Sequence, residues 1–447
     1  MPATGGPVAA CCITWILGAI ASCGCSTHAH RLQQPRQLFY SNQLHQAHEQ
    51  FDKLSEKKRR SDSSVVQLDL AMIELVSGQP RACEQRLRDI RDRWDHLEQD
   101  SALESATSLL TDDQRKAYSG EDYEKLLLRV FLTLSSLMQD GVDAESYTLQ
   151  TIEKTDDLRE KAKTKWGDGV LESYHVPAIA PYMRGVLREA TMSNYDDALR
   201  AYQTTEALLP GAPLVLADIE RVTSGVHSNP GHGVVYVLSM IGRGPYKTEV
   251  AAEATSDALL IADRIVSAIG QYSVPPTLAP IKVPAIVSSP MPFDVIGVRV
   301  DGVPTSTTLP ITDLHALAHQ TFNARLPEIM ARSVARRVIK KGAMYVAKDQ
   351  LNAAPIASLA MDGLGVAWEA TESADTRCWG LLPREIQILR LELPSGTHTL
   401  DLEPVADERP CARPTPCTVR VEDGRNTYVL GYWPDFQPIG QLLVNNP

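Results

Sequence analysis

Apolar residues recur every three to four positions through most of the first 215 residues, and the periods come in pairs. Val65, Leu68, Met72, Leu75 and Val76 predict a helix over Ser64–Ser77. Gly78-Gln79-Pro80 breaks it ahead of a second helix through Leu87, Ile90, Trp94 and Leu97. Leu126, Val130, Leu134 and Leu137 predict a helix over Asp122–Met138, which Asp140-Gly141 closes before Ala144–Leu158. A third pair spans Ala180–Met192 and Tyr195–Leu209. Beyond Leu214 the period changes. Val234–Leu238 reads as a buried strand, Gly242-Arg243-Gly244-Pro245 as a turn, Val250–Ile269 as an apolar helix and Pro275–Pro292 as a Pro-rich crossing. Val295–Val300, Asp301-Gly302 and the extended stretch to Leu309 predict a hairpin, followed by helices over Asp313–Lys348 and Ala354–Glu369. Two more hairpins are expected near the C-terminus: Glu385–Leu393 with His398–Glu403, and Thr418–Val421 with Thr427–Tyr432.

The third helical pair resembles a tetratricopeptide repeat. Ala198, Tyr202 and Pro210 fall at the offsets of that family's small, aromatic and proline positions, with Tyr195 opening the helix and Tyr182 in the one before it. Thr205 stands where the family has alanine and Ser193 where it has the turn glycine. The pairs are more than fifty residues apart, so the expectation is a degenerate solenoid. Core packing alone accounts for these residues. The expected class is mainly α: tetratricopeptide-like hairpins, then an α+β region, then a small β module. The divisions are 1–22 signal peptide, 23–62 tether and first helix, 63–215 helical repeats, 226–375 α+β region and 376–447 β module.

The N-terminus changes the picture from fold to address. Val8–Ala21 is an apolar run of signal-peptide length, ending in Ile20-Ala21-Ser22-Cys23. That tetrad resembles the lipobox of bacterial lipoproteins, in which small residues precede a cysteine that is cut free and acylated. Cys23 is therefore the expected lipidation site, and several acyl chains on one residue anchor stably where one chain does not. No Lys or Arg precedes Arg31, so the basic stretch usual in such signals is missing. Gly24 in place of Asp implies release to the outer membrane, facing the periplasm, in a Gram-negative cell. An oxidising envelope favours a disulfide across Cys411-Ala-Arg-Pro-Thr-Pro-Cys417; free thiols or a Cys411–Cys378 bridge are the alternatives, and no second pair supports zinc. The net charge of −11 argues against a nucleic-acid partner.

The chain as a whole resembles a family of uncharacterised bacterial envelope lipoproteins, with a tetratricopeptide-like N-terminal half and a mixed C-terminal half. The resemblance rests on three stretches: Pro181-Tyr182-Met183-Arg184-Gly185-Val186-Leu187, Gly242-Arg243-Gly244-Pro245-Tyr246-Lys247, and Ala374-Asp375-Thr376-Arg377-Cys378-Trp379-Gly380-Leu381-Leu382-Pro383. It implies architecture and an envelope location but no activity.

Candidate chemistry is sparse. His315 and His319 share a helix face at i and i+4, yet Ala316 stands where a zinc protease needs its Glu, so ordinary helix histidines are the plainer reading. His45 and His48 match no metal pattern, and Gly242-Arg243-Gly244 lacks the rest of a phosphate loop. Arg332, Arg336, Arg337, Lys340 and Lys341 line one side of a helix, as a solvated face or as a contact for anionic headgroups or an acidic partner. Trp379 reads as a core plug. The expected function is a non-enzymatic, lipid-anchored scaffold that needs no cofactor or metal and holds another envelope protein on a concave helical surface. Two alternatives remain: an enzyme acting on cell-wall or polysaccharide material, with His227, His232 or Arg243 gathered around an acid, and a secretion or exopolysaccharide assembly factor.

Overall fold

The apolar periods of the first half form helices where the pattern places them. In the computed structural model, residues 28–56, 63–101, 117–251, 282–350 and 373–447 are described, with only the backbone of 99–101 and 336–350. The paired helices are α1 (His28–Tyr40), α2 (Leu44–Glu56), α3 (Ser63–Val76), α4 (Pro80–Ser101), α5 (Asp122–Leu137), α6 (Ala144–Trp166), α7 (Ile179–Glu189), α8 (Tyr195–Leu208) and α9 (Pro213–Thr223). Gly78 ends α3 in the left-handed region (φ 79°). There Gln79 N–H reaches Glu74 C=O and Gly78 N–H reaches Leu75 C=O, which satisfies the orphan carbonyls of the last turn. Pro213 opens α9, a position where its missing N–H costs nothing.

The strands are β1 (His232–Ile241), β2 (Tyr246–Ala251), β3 (Lys282–Val287), β4 (Val295–Val300), β5 (Val303–Thr307) and β6 (Leu309–Asp313). After the long helix α10 (Leu314–Gln350) come β7 (Glu385–Pro394), β8 (Gly396–Ala406), β9 (Arg409–Pro410), β10 (Thr415–Val421), β11 (Asn426–Trp433) and β12 (Leu443–Asn445). They build a five-stranded mixed sheet in the order β12-β11-β1-β7-β6, an antiparallel sheet β10-β8-β4-β5, and the pair β2-β3. In the mixed sheet β1 runs parallel to β11 and antiparallel to β7.

These parts stack as three layers. Val234, Tyr236, Leu238 and Met240 of β1 join the helices in one core, while Val235, Val237 and Ile241 join Ile296, Val298, Leu400, Leu402, Val419 and Val421 of the second sheet in another. Strand β1 is thus apolar on both faces because both are covered. Helices α3 and α5 lie innermost, buried along nearly their whole lengths.

The chain is mixed α+β and about half helical, not mainly α. Nor does a β module stand apart at 376–447, because β7 and β11 flank β1 on either side. The hairpin at Asp301-Gly302 is present, with both turn residues at positive φ (50° and 80°) as a type I′ turn requires. The other two expected hairpins are corners between layers. Strands β7 and β8 belong to different sheets, as do β10 and β11, so Ser395-Gly396 and Asp423-Gly424 carry the chain across the sandwich. Val250 lies at the end of β2 and residues 282–287 of the expected crossing form β3. Ala251 also belongs to β2, and residues 252–269 of the predicted helix, with Ala354–Glu369, lie outside the described residues.

Candidate functional site

Two of the stretches singled out in the sequence, Gly242–Lys247 and Ala374–Pro383, meet. Residues 374–382 run as an irregular strap through the interior, between the helices and the mixed sheet. Buried irregular backbone needs partners for its polar groups, and here side chains supply them. Trp379 N–H donates to Glu124 Oε1 (2.7 Å), while Gly380 N–H and Leu381 N–H donate to Asp69 Oδ1 (3.1 and 3.2 Å). Arg36 Nη2 donates to Cys378 C=O (3.0 Å) and Tyr40 Oη to Gly380 C=O (3.1 Å). Gly244 N–H and Tyr432 Oη both donate to Leu382 C=O (2.8 and 3.1 Å). A Cβ on Gly244 would lie 2.5 Å from that carbonyl, so the backbone requires glycine there, and one on Gly380 would lie 2.0 Å from the Arg36 guanidinium and would displace it from its bonds. Trp379 is the core plug expected of it, fully buried against Phe131.

The carboxylates that hold the strap are themselves held. Asp69, with no exposed surface, pairs with Arg36 at 3.0 Å. Glu124 sits in the first turn of α5, where the helix dipole favours an anion; it accepts the Glu121 N–H at 3.1 Å and the hydroxyls of Tyr118 and Tyr123. Burial, and the nearby charge of Glu121, push the Glu124 carboxyl above its ordinary range. Glu121 goes the other way. Burial would raise it, but Lys247 and Arg325 (2.7 Å) outweigh that and lower it. Lys247 thereby links the Gly242–Lys247 stretch to α5, and its backbone N–H donates to Cys378 Sγ (3.3 Å).

A second buried network lies under α7, α8 and α9. Glu189 accepts from His227 Nδ1 (2.9 Å), from Arg221 Nε and Nη2 (2.9 and 2.7 Å) and from Tyr202 Oη (2.7 Å). Burial would raise this carboxyl, but the His227 and Arg221 bonds and the Arg221 and Arg390 charges hold it at about 2. Asp218 accepts Tyr182 Oη (2.7 Å) and Arg221 Nη1 (2.6 Å). The repeat positions are therefore packing residues with polar ends. Tyr182 and Tyr202 meet with their rings tilted and centroids 5.5 Å apart, Ala198 is buried, Tyr195 packs at the rim of the core, and Pro210 follows the end of α8.

The other sequence candidates scatter. His232 starts β1 and bonds the Pro230 carbonyl, whereas Arg243 follows the far end of β1, over the Tyr40 ring and paired with Asp435 (2.9 Å). Ten residues of strand separate them, about 30 Å, so His232 and Arg243 do not gather in one place, and of the three only His227 meets a buried acid, Glu189. Cys411 and Cys417 are free thiols. The register explains the missing bridge. Cys411 N–H bonds Pro404 C=O and Cys417 pairs with Leu400, so the two lie four residues apart along β8, about 13 Å, where a disulfide spans under about 7 Å. Cys378, within the strap, is buried and also free. His315 and His319 do come together, with ring centroids 4.3 Å apart. Arg332 is on α10 and pairs with Glu328 (2.5 Å); Arg336, Arg337, Lys340 and Lys341 share that helix, with side chains outside the described residues. Cys23 is outside them as well. Among the described residues no helix is long and apolar enough to cross a membrane.

Asp69, Glu121, Glu124, Glu189, Lys247 and Arg325 escaped the sequence reading. The available signal was an acid inside an apolar run, as in Val-Val-Gln-Leu-Asp69-Leu-Ala-Met, where an unpaired charge would be intolerable. Every charge here is met by a partner from another segment, which makes this arrangement a lock between segments. Comparison with protein-family models, with curated proteins and with solved structures finds no match for the chain.

Proposed function

We propose that the protein is a non-enzymatic scaffold of the bacterial envelope, tethered by lipid on Cys23, that holds another envelope protein on its layer of paired, tetratricopeptide-like helices. The observation that carries this reading is the division of labour within the pairs. The inner helices α3 and α5 are covered by the chain's own sheet and strap, while α4 and α6 present long charged faces outward. Those outer faces are stiffened by ion pairs across helices, such as Lys154 with Glu98 (2.8 Å) and Arg129 with Asp95 (2.9 Å). A rigid polar face over several helices suits recognition of a partner without reactive groups. The surface expected from sequence therefore moves: a partner meets the outward helices, because the inward side is filled.

The test places a photo-crosslinking residue at Asp89 on α4 or Arg159 on α6, both exposed, and at Thr305 on β5 as the control. A single envelope protein captured from both helix positions and not from Thr305 supports the reading. Crosslinks absent from the helices, or equal at Thr305, overturn it. Labelled palmitate entering the wild type and lost in Cys23→Ser tests the anchor separately.

A further inference from the structure

The pair His315 and His319 is left over from both networks. It sits in the first two turns of α10, which the rest of the fold holds rigidly. Leu314 N–H and His315 N–H donate to Arg384 C=O (2.9 and 3.4 Å), and Ala316 N–H donates to Asp313 Oδ1 (2.9 Å). Leu314, Leu317 and Ala318 are buried on the other side of the helix, so the two imidazoles share its half-open face. Their rings meet edge-on, with centroids 4.3 Å apart. The Ser288 hydroxyl, from the loop after β3, bonds His315 Nδ1 and orients that ring.

We infer that His315 and His319 form an open, two-histidine chelate for a borderline divalent cation such as Zn²⁺, Ni²⁺ or Cu²⁺. Imidazole is the ligand such ions prefer, and two nitrogens about 2.0–2.1 Å from one metal lie about 3.3 Å apart in a tetrahedral site, a spacing that rings already in contact reach by small rotations. The bond to Ser288 occupies Nδ1 and leaves Nε2 of His315 as the ligating atom, the arrangement in which an outer partner fixes ring and tautomer. Among the described residues no group of three or more His, Cys, Asp or Glu side chains is placed to hold a metal, so the two imidazoles are the protein ligands on which the proposal rests. Arg384 lies close, but its guanidinium is engaged by the Ser289 carbonyl (2.6 Å).

Calorimetric titration of the full-length protein with Zn²⁺ and with Ni²⁺ tests this, alongside histidine-ring NMR spectra. One equivalent is expected to bind, with the resonances of His315 and His319 shifting together. His315→Ala and His319→Ala should each weaken binding at least tenfold, Ser288→Ala by about 10–100-fold, and His45→Ala not at all. Thermal unfolding without metal checks that each variant is folded, and half-exposed rings make that the expected result. No binding to the wild type, or binding that survives both histidine substitutions in folded protein, overturns the proposal.

Discussion

Asp69→Ala is the sharpest probe of the strap. The substitution leaves Arg36, whose side chain is 12% exposed, without its ion-pair partner, and leaves the amides of Gly380 and Leu381 without an acceptor. Breaking a buried pair from one side costs about 3–5 kcal/mol, and an orphaned buried amide about 1–3 kcal/mol. The losses are not additive, since the strap can shift and water can enter the space vacated, so about 4 kcal/mol is expected in all. Asp69→Asn keeps the Oδ1 acceptor for the two amides but turns an NH2 donor toward Arg36 in place of Oδ2, losing the charge and the bond from Arg36 Nε, so about 3 kcal/mol is expected. Urea unfolding gives the global cost, and hydrogen exchange at Gly380 and Leu381 gives the local one. Exchange should quicken in the order wild type, Asn, Ala. Glu49→Ala, which removes an exposed pair with Lys53, is the control and should change neither reading. An Asp69→Ala protein within about 1 kcal/mol of wild type, its two amides still protected, would refute the assignment of Asp69 as the strap's anchor.

Three further outcomes follow from the geometry. Gly185→Ala should destabilise the protein by about 1–3 kcal/mol, because the new Cβ would lie 2.6 Å from the Tyr202 ring and overpacking outweighs the roughly 1 kcal/mol helix preference of alanine; a rise in melting temperature would contradict it. Glu189 is held at about 2 against an ordinary value of 4.5, so the stability it confers is fully present above about 4.5 and lost as pH falls from there toward 2. Melting curves of Glu189→Gln should accordingly fall less steeply than wild type across that window, and parallel acid limbs would count against the network. Maleimide labelling with peptide mapping should modify exposed Cys411 first and Cys417 more slowly, since burial pushes the Cys417 thiol up to about 11; protection of both in the native, unreduced protein would show that they are bridged after all.

The helices from α3 to α8 were legible because their apolar residues recur at a 3.6-residue period, which survives in the sequence even in α3 and α5, where nearly every side chain is buried. The β1 strand and the Asp301-Gly302 hairpin were legible for the same local reason: a short apolar run between turn signals, and a two-residue turn that needs positive φ. The corners at Ser395-Gly396 and Asp423-Gly424 were misread because a tight turn between two apolar strands looks the same whether the strands pair or part into facing sheets. Only the second sheet packing on β1 decides between them. The strap is a stronger case. Nothing in the run from Ala374 to Leu382 shows that its amides need Asp69 and Glu124, which lie more than 250 residues earlier in the chain. Sequence sets the periods and the turns, which depend on neighbours along the chain. The pairing of buried charges depends on which segments arrive at the same place, and that is decided only when the layers close.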